Sequence, residues 1–293
     1  MDSHFLILLL GYALAILAAS LLGGYLPTIV TMTHTRIQMV MSFVAGFILG
    51  VALYHLLPHG LVMIPGPGAV EKAVGLMMFG IILMVLLLRI FHFHQHEFGD
   101  EAGDFHHDHD HDHIHDHAHE HASPESRLIG VCLGLGLHTM TEGIALGTSI
   151  RVGEIHGAEA GLAGLGVFLA ILLHKPLDAF SIIGLLQAAG HSLRTRIAVN
   201  IGFAMLCPVV ALLTFWGIGF LGHWEEEVVG YVLVLAAGAF LCISLSDLLP
   251  EIHFHSHDRV KLTVAFLVGI VLAYGLYFIE SGAVHGLETH EMH

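Results

Sequence analysis

Eight apolar stretches, near 5–26, 38–58, 73–91, 127–150, 160–186, 198–221, 228–250 and 262–283, dominate this 293-residue chain. Each is long enough to cross the ~30 Å hydrocarbon layer as a helix of about 20 residues. The expected fold class is therefore an all-α integral membrane protein with eight transmembrane helices. Composition agrees: hydrophobic residues make up 55% and charged residues only 12%, about half the ~25% usual in soluble domains. The first stretch has only Asp2, Ser3 and His4 before it and no basic leader, so it reads as a retained span and not a cleaved signal. Cys132, Cys207 and Cys242 all fall inside apolar segments without paired spacing and read as packing residues.

The charged residues orient the spans. Lysine and arginine concentrate in short cytoplasmic loops. With the N-terminus outside, Arg36, Arg89, Arg127, Arg194, Arg196, Arg259 and Lys261 are cytoplasmic, against Lys72 and Arg151 outside. Both termini are then extracytoplasmic. A short chain without a targeting extension is expected in a bacterial inner (plasma) membrane. The formal charge of -15 is mostly local, because ten of the 25 acidic residues lie between Glu97 and Glu125. It gives no reason to expect a nucleic-acid partner.

The chain divides into 1–91 (helices one to three), 92–126 (a polar cytoplasmic loop), 127–186 (helices four and five) and 187–293 (helices six to eight with a short extracytoplasmic tail). Within it, Gly46 to Pro58 matches Gly238 to Pro250 at six of thirteen positions, both ending in Leu-Leu-Pro. Helices two and seven look like copies that cross the membrane in opposite directions. That is the signature of an inverted repeat in which helices one to three mirror six to eight around central helices four and five.

Two buried pairs carry the chemistry. Helix four places His138 and Glu142 four residues apart, hence on one face, and helix five repeats the spacing with His174 and Asp178. Charged groups at that depth cost ~3 kcal/mol or more and are by default functional. Two nitrogens and two oxygens suit a tetrahedral, borderline-soft ion such as zinc, whereas calcium or magnesium would call for oxygens alone. Pro176 is expected to kink helix five beside these ligands. No His-Glu-x-x-His helix is present, which argues against a zinc-dependent membrane enzyme. A cation-efflux antiporter is the alternative among transporters, but it would be expected to have fewer spans and a soluble metal-binding domain.

These features together resemble the ZIP (Zrt/Irt-like) family of metal transporters over essentially all eight spans, including the His-rich loop between helices three and four. The resemblance implies a transport site of His138, Glu142, His174 and Asp178, uptake toward the cytoplasm, no catalytic activity and no cofactor. Its substrate would be Zn(2+), with Cd(2+), Fe(2+) and Mn(2+) as further candidates and the lipid bilayer as its surroundings. Association into a homodimer is left open. Where some members have asparagine and an acidic residue for a second metal, this chain has Thr139 and Lys175. A protonated lysine has no lone pair to give a metal, so one ion is expected. A deprotonated Lys175 would instead link proton release to transport.

Lesser candidates flank this centre. His55 and His59 near the outer end of helix two, and Asp247 and Glu251 near the inner end of helix seven, are either pathway stations or solvated interfacial groups. The loop holds twelve of the 27 histidines, among them His107, His109, His111 and His113 alternating with aspartates. It lacks apolar periodicity and is expected to be disordered, collecting metal without performing translocation. Deleting residues 104–121 should therefore leave zinc flux through the core intact in proteoliposomes; its abolition would make the loop essential.

Overall fold

The computed structural model describes residues 3–26, 34–90, 124–155, 162–254 and 259–285, and among them all regular structure is helical. The eight spans are α1 (Ser3–Tyr25), α2, α3 (Ala69–Ile90), α4 (Pro124–Ile155), α5 (Leu165–Ala188), α6 (Leu193–Gly219), α7 (Glu225–Phe254) and α8 (Arg259–His285). Helix α2 is composite: His34–Val51, a π-helical turn at Ala52–Leu56, then Leu57–Met63. Pro58 offers no N–H to the preceding turn and its ring crowds it. The chain responds by widening there, with the Leu57 N–H bonding Ala52 O. Helix α7 carries the same Leu-Leu-Pro motif yet remains a regular α-helix through it.

The end of α3 and the start of α4 mark one side of the bundle, the loop face. The first helix starts and the last helix ends on the other, the terminal face. The helices pack as two groups. Helix α2 lies along α8 and α7, and α7 along α3; separately, α1 lies along α5 and α6, and α6 along α4. This pairing has the two-fold pattern of the repeat, since α2 on α8 corresponds to α7 on α3, and α1 on α5 to α6 on α4. Each group nevertheless draws helices from both copies.

Small residues let the backbones approach within each group, as membrane interfaces require. A Cβ added at Gly46 would strike Phe266 O of α8, one at Gly269 would strike Phe43 O of α2, and Gly80 and Gly238 make the same contact between α3 and α7. The outward faces are apolar: Val74, Met78, Ile82 and Val85 of α3, and Val264, Leu267, Val268 and Val271 of α8, are exposed. That surface suits hydrocarbon and not water.

The end of α4 differs from the sequence reading. Helix α4 continues to Ile155, so Arg151 is a buried helical residue paired with Glu154 and Glu225, not a loop cation. Pro176 lies inside α5, which is helical on both sides of it. The loop residues His107, His109, His111 and His113 lie outside the described residues, as do the side chains of Asp247 and Glu251. Gly46→Ala should lower the melting temperature in detergent, because overpacking costs about 1–3 kcal/mol. Gly75→Ala, where a Cβ meets nothing within 4 Å, should leave it unchanged or raise it; equal effects would contradict this packing.

Candidate metal centre

The four residues named from spacing converge. His138, Glu142, His174 and Asp178 each offer a ligand atom within 4.8 Å of the others. The centre lies near the middle of both spans. Glycines on α4 help to bring this about: Gly143 and Gly147 lie against Cys207, Val210 and Ala211 of α6, which draws α4 into the group that holds α5.

Hydrogen bonding fixes the donor atoms. His174 Nδ1–H donates to Ala170 O at 2.6 Å, which orients the ring so that Nε2 points into the centre, as the outer hydrogen bond of a metal-binding histidine does. That Nε2 faces Glu142 Oε1 in close contact. His138 Nε2 reaches the same oxygen at 2.7 Å. Asp178 Oδ2 is 3.8 Å from His138 Nε2 and 3.9 Å from His174 Nε2. His138 Nδ1 and Asp178 Oδ2 are buried without a hydrogen-bond partner among the described residues.

Two imidazole nitrogens and a carboxylate oxygen converging on one point are the donor types that a borderline-soft cation takes. Ligands about 2.0 Å from a tetrahedral zinc stand ~3.3 Å apart. The observed separations straddle that value, so small side-chain movements would admit an ion.

Lys175 completes the electrostatics. It is fully buried, and its Nζ donates to Glu142 Oε2 at 2.5 Å and to Thr139 Oγ1 at 2.7 Å. It also lies 3.7 Å from Asp178 Oδ2 and 4.7 Å from the centroid of Phe203 on α6. Glu142 thus gives one oxygen to the histidines and the other to the ammonium. The ring face of Phe203 adds cation–π attraction.

The ZIP zinc transporter profile matches residues 6–277. The chain belongs to the ZIP family. Relatives of this ZIP chain include zinc transporter ZIP9 of Xenopus tropicalis, 26% identical over 284 residues, covering 84% of this chain and 86% of that protein. Zinc transporter ZIP9-B of Xenopus laevis is 27% identical over 287 residues, with the same shares. Zinc transporter ZIP9 of Micropogonias undulatus is 31% identical over 173 residues, 51% of this chain and 53% of that protein. The family is one of transporters and not of enzymes.

The outlying candidates of this ZIP chain separate. His55 is buried, which removes the solvated interfacial reading for it, whereas His59 is exposed and its Nδ1–H donates to His55 O at 2.6 Å. Sequence reasoning missed Phe203 and Glu280. Phe203 had no signal beyond being one of many aromatics. Glu280 had one, as an acidic residue inside the last apolar run.

Lys175→Met keeps the volume but strips a fully buried carboxylate of its cation. Breaking such a pair costs about 3–5 kcal/mol. The metal-free variant should melt well below the parent in detergent, and excess zinc should restore more stability to the variant than it adds to the parent. An unchanged melting curve would mean that the ammonium does not hold Glu142.

Proposed function

We propose that this protein moves a divalent transition metal, zinc foremost, toward the cytoplasm through a single mid-membrane centre formed by His138, Glu142, His174 and Asp178. The observation that carries this reading is the meeting of His138 Nε2 and His174 Nε2 on Glu142 Oε1, with the His174 tautomer held by Ala170 O. Those two nitrogens and that oxygen are donor atoms of the kind a tetrahedral zinc takes, and Nδ1 of His174 is already committed to the backbone. Zinc as cargo is supported by the donor set and by the names of the relatives.

Charge supports one ion. Two carboxylates and one ammonium give the empty centre a formal charge of -1, and a divalent ion brings it to +1. A second divalent ion would raise it to +3 in a low-dielectric setting where such repulsion is strong. Lys175 Nζ also occupies the space beside Thr139 and Glu142. It stands where a second ion would have to bind.

Transport then proceeds by moving the group α1, α4, α5 and α6, which owns every ligand, against the group α2, α3, α7 and α8. The terminal face is assigned to the outside by the loop-face arginines and lysines. Asp178, on the loop-face side of the centre, is the ligand with the greatest side-chain exposure, 15% against 0% for Glu142. That exposure supports an opening of the centre toward the loop face. The energetic role of the remaining residues is to keep the unloaded centre tolerable in hydrocarbon, where an unpaired charge is costly.

The test is zinc flux into proteoliposomes of known orientation. His138→Ala combined with Asp178→Ala should reduce flux to background, and unchanged flux would disprove the site. Elemental analysis of the protein lacking residues 104–121 should find one tightly bound ion per chain; two would refute the role given to Lys175.

A further inference from the structure

Two polar links join the helix groups at the terminal face, on the side of the metal centre remote from the exposed edge of Asp178. In the first, Glu280 of α8 is the hub. Its Oε2 lies 2.6 Å from His55 Nδ1, and its Oε1 accepts the Gly166 N–H at 2.9 Å. In the second, Arg151 of α4 pairs with Glu225 at the start of α7, while its guanidinium lies 5.6 Å from the Phe215 ring centroid.

The Glu280 contact is built from several independent features. Gly166 lies in the first turn of α5, whose N-cap is Gly164 at φ +66° with no side-chain cap. First-turn N–H groups need an acceptor, and the positive end of the helix dipole favours an anion. Here the carboxylate arrives from the opposite helix group. The imidazole is fixed from behind, because His55 Nε2–H donates to Ala273 O at 2.9 Å and Tyr277 meets the ring edge-on at 6.1 Å between centroids.

Its backbone belongs to the π-helical turn of α2, a type of distortion found at functional positions. Gly46, Gly80, Gly143 and Gly147 contact helices of their own group. Gly166 instead abuts the other group, and a Cβ there would come within 2.9 Å of His55 Nδ1.

We infer that Glu280, with His55 and the Gly166 N–H, is a latch that closes terminal-face access to the metal centre, and that its release is a required step in turning the centre toward that face. Gly166 precedes His174 by eight residues on one helix, about 12 Å along the axis. Holding Gly166 therefore holds the helix that carries two of the ligands. Sliding α5 against α2 and α8 uncaps its first turn and separates Glu280 from it. The lost contacts are recovered only when another acceptor or water reaches the freed groups, so the latch stabilises the closed outer face. The inference rests on the two-group movement proposed above.

The test uses the full-length protein reconstituted in liposomes, with one cysteine added at Ile171 (buried, between latch and centre) or at Ser181 (on the loop-face side). Labelling by a membrane-impermeant thiol reagent is followed by peptide mass spectrometry, with the native cysteines as internal controls. Glu280→Ala should speed labelling of Ile171→Cys from the terminal face by about tenfold or more, the weight of charge-assisted hydrogen bonds. It should also slow labelling of Ser181→Cys from the loop face.

Gly166→Ala, which pushes His55 away without changing any charged group, should shift both rates in the same directions. Faster labelling at both positions would indicate general loosening and overturn the latch, as would unchanged rates in both variants. Zinc flux by the parent protein, measured alongside, separates failure of this inference from failure of the transport reading, which would appear as absent flux before any latch variant is made.

Discussion

A carboxylate with no access to water, at the middle of a bilayer, has to be matched by cationic or donor groups, and Glu142 is such a carboxylate. Most of the surrounding architecture answers that requirement. Lys175 takes one oxygen and the two histidines take the other. Thr139 and the Phe203 face hold the lysine, and Ala170 O holds the second histidine. Any one of these groups alone would be expensive in hydrocarbon. Together they form a cluster that is one positive charge short, a condition a passing metal ion relieves without the protein having to create a pocket from nothing.

The same requirement explains why so much of the centre could be read from residue order. His138 with Glu142 and His174 with Asp178 share a spacing that puts each pair on one face, and ionisable residues so far from a span end have few alternatives to facing each other. Lys175 was legible for the same reason. The helices themselves follow from length and apolarity, which the bilayer enforces more strictly than water does.

What could not be read depends on contacts between distant segments. Arg151 looked like a loop cation because hydropathy falls near it, but pairing with Glu154 and Glu225 lets α4 continue through it. Glu280 has no partner at helical spacing, and its partners are a backbone N–H of α5 and a histidine of α2. The widened turn that carries His55 follows from Pro58 only once α2 is known to continue past it, and the same motif in α7 makes no such turn.

That last contrast bears on which way the protein rests. A duplicated bundle whose copies were identical would have two conformations related by symmetry, one open to each side, with equal energies, and would spend half its time in each. The repeat here is imperfect on the backbone: α2 widens its turn at Ala52–Leu56 and α7 does not. The two mirror states then cease to be equivalent. One widened turn in one copy is enough to give such a duplicated machine a preferred side.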